Sequence, residues 1–279
     1  MTALTRNDLA AAESAKQGYR YQRFTLALML QDFRFNASSL RPGDMAPDVD
    51  LTNLDSSRVR LSEIVGARPV VLVTGSLSCP MTASSVPSLN RLLQDFGDAF
   101  DVVLLYVREA HPGELLRQPQ SLAEKLEHAT SFKDELAVRA RVVVDDIDGT
   151  LHRLLDAKPN AAFIFDATGR LVFRSLWASD EGGLRTALTS LRDATQLRAS
   201  QSTRMVQPML RALGSVSETL TRAGASAHRD LLLAAAPMEI GGLMAGRLKP
   251  LPRDLRGPAL MVVGLVATAA AAVAFFTFR

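Results

Sequence analysis

Val70-Val71-Leu72-Val73-Thr74-Gly75-Ser76-Leu77-Ser78-Cys79-Pro80-Met81-Thr82 joins an unbroken apolar run to a turn that carries the only cysteine of the chain. The run is short, β-branched and uninterrupted, which is the pattern of a strand buried on both faces of a parallel sheet. Pro80 suits the first turn of a helix, where a missing N–H costs nothing. Cys79 is therefore expected at a helix start. There, unpaired N–H groups and the positive end of the helix dipole favour thiolate over the ordinary thiol pKa of about 8.5. A free cysteine is usually a small buried apolar residue, but the open Gly75-Ser76-Leu77-Ser78 loop favours a nucleophile.

Working outward, Val102 to Val107 repeats the buried-strand pattern, and Leu89, Leu92, Leu93 and Phe96 fall on one helical face of Ser84 to Phe96. Strand, helix and strand predict a parallel βαβ unit. A helix at Leu122 to Val138 and a strand at Arg141 to Val144 follow. Ala161 to Phe165 and Leu171 to Phe173 then read as a hairpin around Asp166-Ala167-Thr168-Gly169, before a last helix at Gly183 to Leu197. The expected domain is α/β, with helices on both faces of a sheet that is parallel at first and antiparallel at its end. It spans residues 41–197, beginning at the breaker-rich Arg41-Pro42-Gly43-Asp44-Met45-Ala46-Pro47.

Outside it, residues 1–40 form an N-terminal extension whose apolar residues (Tyr21, Phe24, Leu28 and Leu26, Leu30, Phe33) recur at helical spacing among Arg20, Arg23 and Asp32. This amphipathic helix is expected to dock on the main domain. Residues 198–256 read as a helical juxtamembrane segment or stalk. Arg247, Lys249, Arg253 and Arg256 precede the uncharged stretch from Gly257 to Phe278. That pattern predicts a transmembrane anchor at 257–279, with Phe275, Phe276 and Phe278 at the far interface and the body on the cytoplasmic side. The N-terminus has no apolar h-region, so no signal peptide is expected.

Composition limits the chemistry. In 279 residues, 47% hydrophobic and 22% charged, one cysteine excludes an internal disulfide and a multi-cysteine metal centre. A net charge of +3 is too mild to argue for nucleic acid. No resident cofactor or metal is expected.

Two motifs carry a family resemblance. Arg41-Pro42-Gly43-Asp44-Met45-Ala46-Pro47-Asp48-Val49-Asp50-Leu51 resembles the opening of thioredoxin-like redoxins, and Pro87 matches the proline that kinks the thioredoxin active-site helix. More closely, Gly75-Ser76-Leu77-Ser78-Cys79-Pro80 and Tyr106-Val107-Arg108-Glu109-Ala110-His111 resemble the two site motifs of the iodothyronine deiodinases, with cysteine where selenocysteine would stand. The resemblance covers residues 41–195. It implies a thioredoxin-like three-layer sandwich and a thiol oxidoreductase with Cys79 as nucleophile and Glu109 and His111 in proton transfer. Ser76, Ser78 and Tyr106 would contact substrate. The reductant would be an external thiol or a thioredoxin or glutathione system, and a homodimer is an allowed assembly. On a parallel sheet the ends of neighbouring strands converge, so Glu109 and His111 are expected to face Cys79 together, two apart on extended chain. The sequence departs from the family at Leu77 (a family cysteine), at Arg108 (a family glutamate) and in its C-terminal rather than N-terminal anchor.

Other readings compete. A peroxiredoxin-like peroxidase finds its Ser at Ser76, but Leu72 stands in place of its proline and Asn160 in place of its arginine. Asp146-Ile147-Asp148-Gly149-Thr150 matches a D-x-D-G-T phosphatase motif, but no acidic pair follows to complete a metal site. A membrane-bound interaction module without catalysis is the alternative of another class.

Overall fold

A computed structural model describes residues 18–66, 68–195 and 200–277, with side chains for all of these except 267 and 269–277. The chain runs α1 (Leu26–Asp32), β1 (Asp50–Asn53), β2 (Arg58–Arg60), α2 (Leu61–Val65), β3 (Val70–Gly75), α3 (Pro80–Phe96), β4 (Asp101–Tyr106), α4 (Leu122–Glu135), β5 (Arg141–Val144), α5 (Thr150–Leu154), β6 (Ala162–Phe165), β7 (Leu171–Ser175), α6 (Glu181–Arg192), β8 (Gln201–Ser202), α7 (Val206–Ala223), α8 (Ala225–Ala245) and α9 (Arg253–Thr277).

The strands join in one sheet of order β2-β1-β5-β4-β3-β6-β7-β8. β3 pairs in parallel with β4 from Val70 opposite Asp101 to Gly75 opposite Tyr106, and β4 in parallel with β5. β3 meets β6, and β6 meets β7, antiparallel. A βαβ unit followed by a β-hairpin and helix, in the order β4-β3-β6-β7, is the thioredoxin-like arrangement. Because successive strand residues point to opposite faces, Val71, Val73, Leu104 and Ile164 pack under α3, α4 and α6. Val70, Leu72, Leu105 and Phe163 pack on the other side, under α2 and α5. Val70 to Val73 are fully excluded from solvent, each burial contributing up to roughly 1.5–3 kcal/mol. The hairpin of β1 and β2, absent from the sequence reading, extends the far edge: its residues alternate polar and apolar over very few positions.

The N-terminal segment is fastened to this domain. Arg108 stacks over both Tyr19 and Tyr21 at 4.7 and 4.8 Å and donates to the Tyr19 carbonyl. The residue that departs from the family glutamate is thus the clamp for residues 18–35. The described helix is short, Leu26–Asp32, capped by Thr25; residues 20–25, expected within the helix, are not helical, and residues before 18 lie outside the described ones.

The C-terminal third corrects two expectations. Residues 206–245 are no stalk: α7 and α8 pack against each other, and α7 lies along α3. Arg211 reaches Ser88 at 2.9 Å and Glu181 at 3.4 Å. α8 breaks at Ala235, whose φ of −154° and ψ of 64° are not helical, two residues before Pro237; the His228 Nδ1 to Glu239 contact of 2.7 Å spans the break. The predicted transmembrane anchor is the second correction. Among the described residues no helix is long and apolar enough to cross a membrane, so neither the anchor nor the cytoplasm-facing topology derived from it stands. The first turns of α9 are docked instead. Gly214 and Gly257 let α7 and α9 cross in close contact, since a Cβ on either would lie 1.8 Å from a carbonyl oxygen of the other helix, at Arg253 and Leu210. Two of the bases read as a membrane flank, Arg253 and Arg256, both pair with Glu218, at 2.6 and 2.7 Å, and Asp254 pairs with Arg91 at 3.7 Å. Phe275, Phe276 and Phe278 lie outside the described side chains.

Replacing Gly214 by Val forces α9 off α7. Gly214→Val is expected to lower stability by about 1–3 kcal/mol, the usual cost of overpacking. Thermal melting unchanged from wild type would refute the close crossing.

Candidate active site

Cys79 caps α3, with Pro80 as the first helical residue. Its N–H donates to the Ser76 carbonyl at 3.3 Å, closing the turn that leaves β3. The turn fits because Gly75 has no side chain: a Cβ there would meet the Thr82 methyl at 2.7 Å. The thiol is 1% exposed, and burial pushes its pKa up to about 11 against smaller help from the Thr82 hydroxyl and the Thr82 and Met81 N–H groups. The helix start was expected to favour thiolate. Desolvation outweighs it, because the stabilising end of a helix dipole is worth only about 0.3–1 kcal/mol at an ordinary site.

The two β-ends converge as the strand order requires, but they do so through an unexpected division of labour. Glu109 is fully buried. One of its carboxylate oxygens accepts the Ser78 N–H at 2.9 Å, and the other accepts the Tyr106 hydroxyl and faces His128 Nδ1 at 3.3 Å. Burial lowers the pKa of His128, but the Glu109 hydrogen bond and charge prevail and the net shift is upward. Gln118 fixes the Glu109 backbone through its N–H and carbonyl, at 2.9 and 2.8 Å. Glu109 thus grips the cysteine loop, and its carboxylate partners are Ser78, Tyr106 and His128 rather than His111. His111 sits on the other side. Its N–H donates to Ser78 Oγ at 3.0 Å, its ring lies 4.2 Å from that of Phe24, and its Nδ1 is buried without a partner. Burial holds its pKa down to about 4, with the Asp230 charge opposing.

The expected substrate contacts are occupied internally. Ser76 Oγ accepts the Ala110 N–H at 3.2 Å, Ser78 Oγ accepts the His111 N–H, and the Tyr106 hydroxyl takes the Leu77 N–H at 3.4 Å while donating to Glu109. These residues sew the two loops together. The phosphatase-like motif is equally structural: Asp146 Oδ1 accepts the Thr150 N–H at 3.0 Å and Asp145 accepts the Leu151 and His152 N–H groups.

Cys79 and His111 line a cavity of about 660 Å³. Its walls include Phe24, Met29 and Phe33 from the N-terminal segment, Pro159 and Trp177 from the sheet side, and Met209, Ala234 and Met238 from the C-terminal hairpin. Asp32 at the end of α1 also lines it, its pKa raised to about 7 by burial while Lys158 and Arg108 pull it down. Sequence reading missed Asp32, which looked like one more charge on an amphipathic face. It also missed Trp177, although a lone tryptophan was itself a signal.

A cysteine capping the helix that leaves a central strand, with a proline after it and another inside that helix, defines a single-cysteine thioredoxin-like protein. The chain belongs to the iodothyronine deiodinase family, whose model matches residues 2–175. It is 36% identical to a thyroxine 5-deiodinase of Gallus gallus over 27% of this chain and 30% of that one. It is 23% identical to a type I iodothyronine deiodinase of Xenopus laevis over 56% of this chain and 64% of that one. The chain thus spans less than two-thirds of the length of these relatives. Among solved structures, it is similar to an uncharacterized conserved protein from Geobacillus kaustophilus, with a TM-score of 0.49 and 21% identity, covering 58% of this chain and 87% of that one. A putative thiol:disulfide interchange protein DsbE from Chlorobium tepidum gives 0.44 and 22%, covering 55% and 98%.

Two measurements follow. Alkylation of Cys79 by N-ethylmaleimide should accelerate about tenfold per pH unit from pH 7 to 10, since only thiolate reacts; a plateau below pH 8 would contradict the raised pKa. Asp32, with a folded pKa above its unfolded value, binds more protons folded than unfolded between about pH 4 and 7. The stability it confers is therefore present at low pH and lost as pH rises through 7. Asp32→Asn should gain stability relative to wild type between pH 5 and pH 8 in denaturant titrations.

Proposed function

We propose that the protein is a thiol-dependent oxidoreductase in which Cys79 reduces an electrophilic substrate. The observation that carries this is the placement of the chain's only cysteine at a helix start, lining a cavity with His111 and Asp32. In the first step the Cys79 sulfur attacks a halogen, peroxide oxygen or disulfide sulfur, and the leaving group departs with the bonding electron pair. His111, neutral near pH 7, lines the same cavity and can accept the thiol proton as the sulfur bonds to the electrophile and the S–H group acidifies. Asp32 is suited to deliver a proton to the departing group, its carboxyl being partly protonated at that pH. The oxidised sulfur then forms a mixed disulfide with an external thiol, and a second thiol releases Cys79–SH and a disulfide. Each turnover oxidises two external thiols, because the chain has no second cysteine to resolve the first. Glu109 holds the loop that carries the nucleophile.

A peroxiredoxin-type peroxidase has less support. Ser76, its expected helper, is bonded to the Ala110 N–H, and among the described residues no arginine lines the cavity.

Full-length protein incubated with an iodinated phenol, a hydroperoxide and a mixed disulfide, each with glutathione, tests the reading. Cys79→Ser should abolish consumption of whichever oxidant is used, and His111→Ala should slow it about 10²-fold or more. Full activity in Cys79→Ser would overturn thiol catalysis, and consumption of none of the three oxidants by the wild-type protein would favour a non-catalytic interaction module.

A further inference from the structure

Resting on the reading of Cys79 as the reactive group, the nature of its cavity bears on what the site takes. The volume of about 660 Å³ is that of a small-molecule pocket rather than a packing defect. Five of its wall residues are methionines, Met29, Met81, Met205, Met209 and Met238, side chains that adapt to varied apolar shapes. Among the described residues, no lysine or arginine lines it; its ionisable wall residues are Asp32, His111 and Cys79. An anionic head entering this space would give up its water without a cation to replace it. Two buried ring nitrogens, Trp177 Nε1 and His111 Nδ1, lack any partner, although Trp177 is 2% exposed and His111 8% exposed. Trp177 lines the cavity, and a buried indole N–H without an acceptor forgoes a hydrogen bond, so an oxygen supplied by a ligand would complete it.

We propose that this cavity is a binding site for a neutral apolar molecule carrying one hydrogen-bond acceptor, seated against Trp177 and above Cys79. Its roof comes from α7 and α8, which lie beyond residues 2–175, the part matched to the family. The selectivity of the site is therefore written largely in a segment the family match does not include. A ligand bearing a carboxylate is discriminated against by charge, not by size.

Trp177 is the only tryptophan of the chain, so its emission reports occupancy directly. Full-length protein at pH 7.5 would be titrated with 1-octanol, octanoate and octylamine, which share a chain and differ in head group. Octanol should shift the Trp177 emission saturably and slow Cys79 alkylation by N-ethylmaleimide about fivefold or more, with octanoate at least tenfold weaker. Ala234→Phe, which fills the roof, should weaken octanol by about fivefold or more. Met238→Ala, which enlarges it, should move the preference to longer alcohols and serves if the first variant does not fold. Octanoate or octylamine binding as tightly as octanol, or octanol affinity unmoved by the roof substitutions, would overturn the proposal. Because binding is read without turnover and also in Cys79→Ser, saturable octanol binding to an inactive protein would support the site while overturning the catalytic reading.

Discussion

The buried Glu109 carboxylate is the interaction on which the site depends. A carboxylate removed from water is costly unless its oxygens are satisfied, and Glu109 meets that requirement with the Ser78 N–H, the Tyr106 hydroxyl and His128. Each partner lies on a different piece of the fold: the cysteine loop, the end of β4 and α4. Satisfying one charge therefore fixes three elements relative to one another. The Ser76 and Ser78 hydroxyls finish the join by accepting N–H groups from Ala110 and His111.

With that joint made, the environments on its two sides diverge. On the inner side lie charge and hydrogen bonds. On the outer side lies the cavity, where Cys79, His111 and Asp32 have shed most of their water and each favours its uncharged form. Desolvation has the same sense for all three, although it raises the pKa of the acids and lowers that of the base. Near pH 7 the Cys79 thiol and the His111 ring are uncharged, so Asp32, about half ionised there, is the main charge among the three.

Much of the sheet was legible because its strands are buried on both faces. Val70 to Thr74 and Val102 to Val107 announce themselves by an unbroken apolar run, and the α3 face by Leu89, Leu92 and Phe96. The place of Cys79 followed from the same stretch. The separation of Glu109 from His111 was not legible. Alternation assigns two residues i and i+2 to one side only while the chain stays extended, and β4 ends at Tyr106, before both. Met261 to Val266 are exposed and only the start of α9 is docked; that docking was not legible, for an apolar run reads alike whether it meets lipid or another helix. What distinguishes the two is Glu218, far away in sequence, pairing with Arg253 and Arg256, and the glycines at 214 and 257 that let the helices touch.

The helical hairpin over the thiol lies outside the residues matched to the family. Cys79 and the loops that hold it lie within 2–175, whereas most of the roof is carried by a later stretch that meets them through packing along α3 and a few contacts such as Arg211 with Ser88. Drift in the roof can therefore reshape what enters without disturbing the Glu109 joint. In descent, chemistry and taste would be inherited on different lengths of polypeptide, so two proteins could share every residue of the cysteine loop and still consume unrelated molecules.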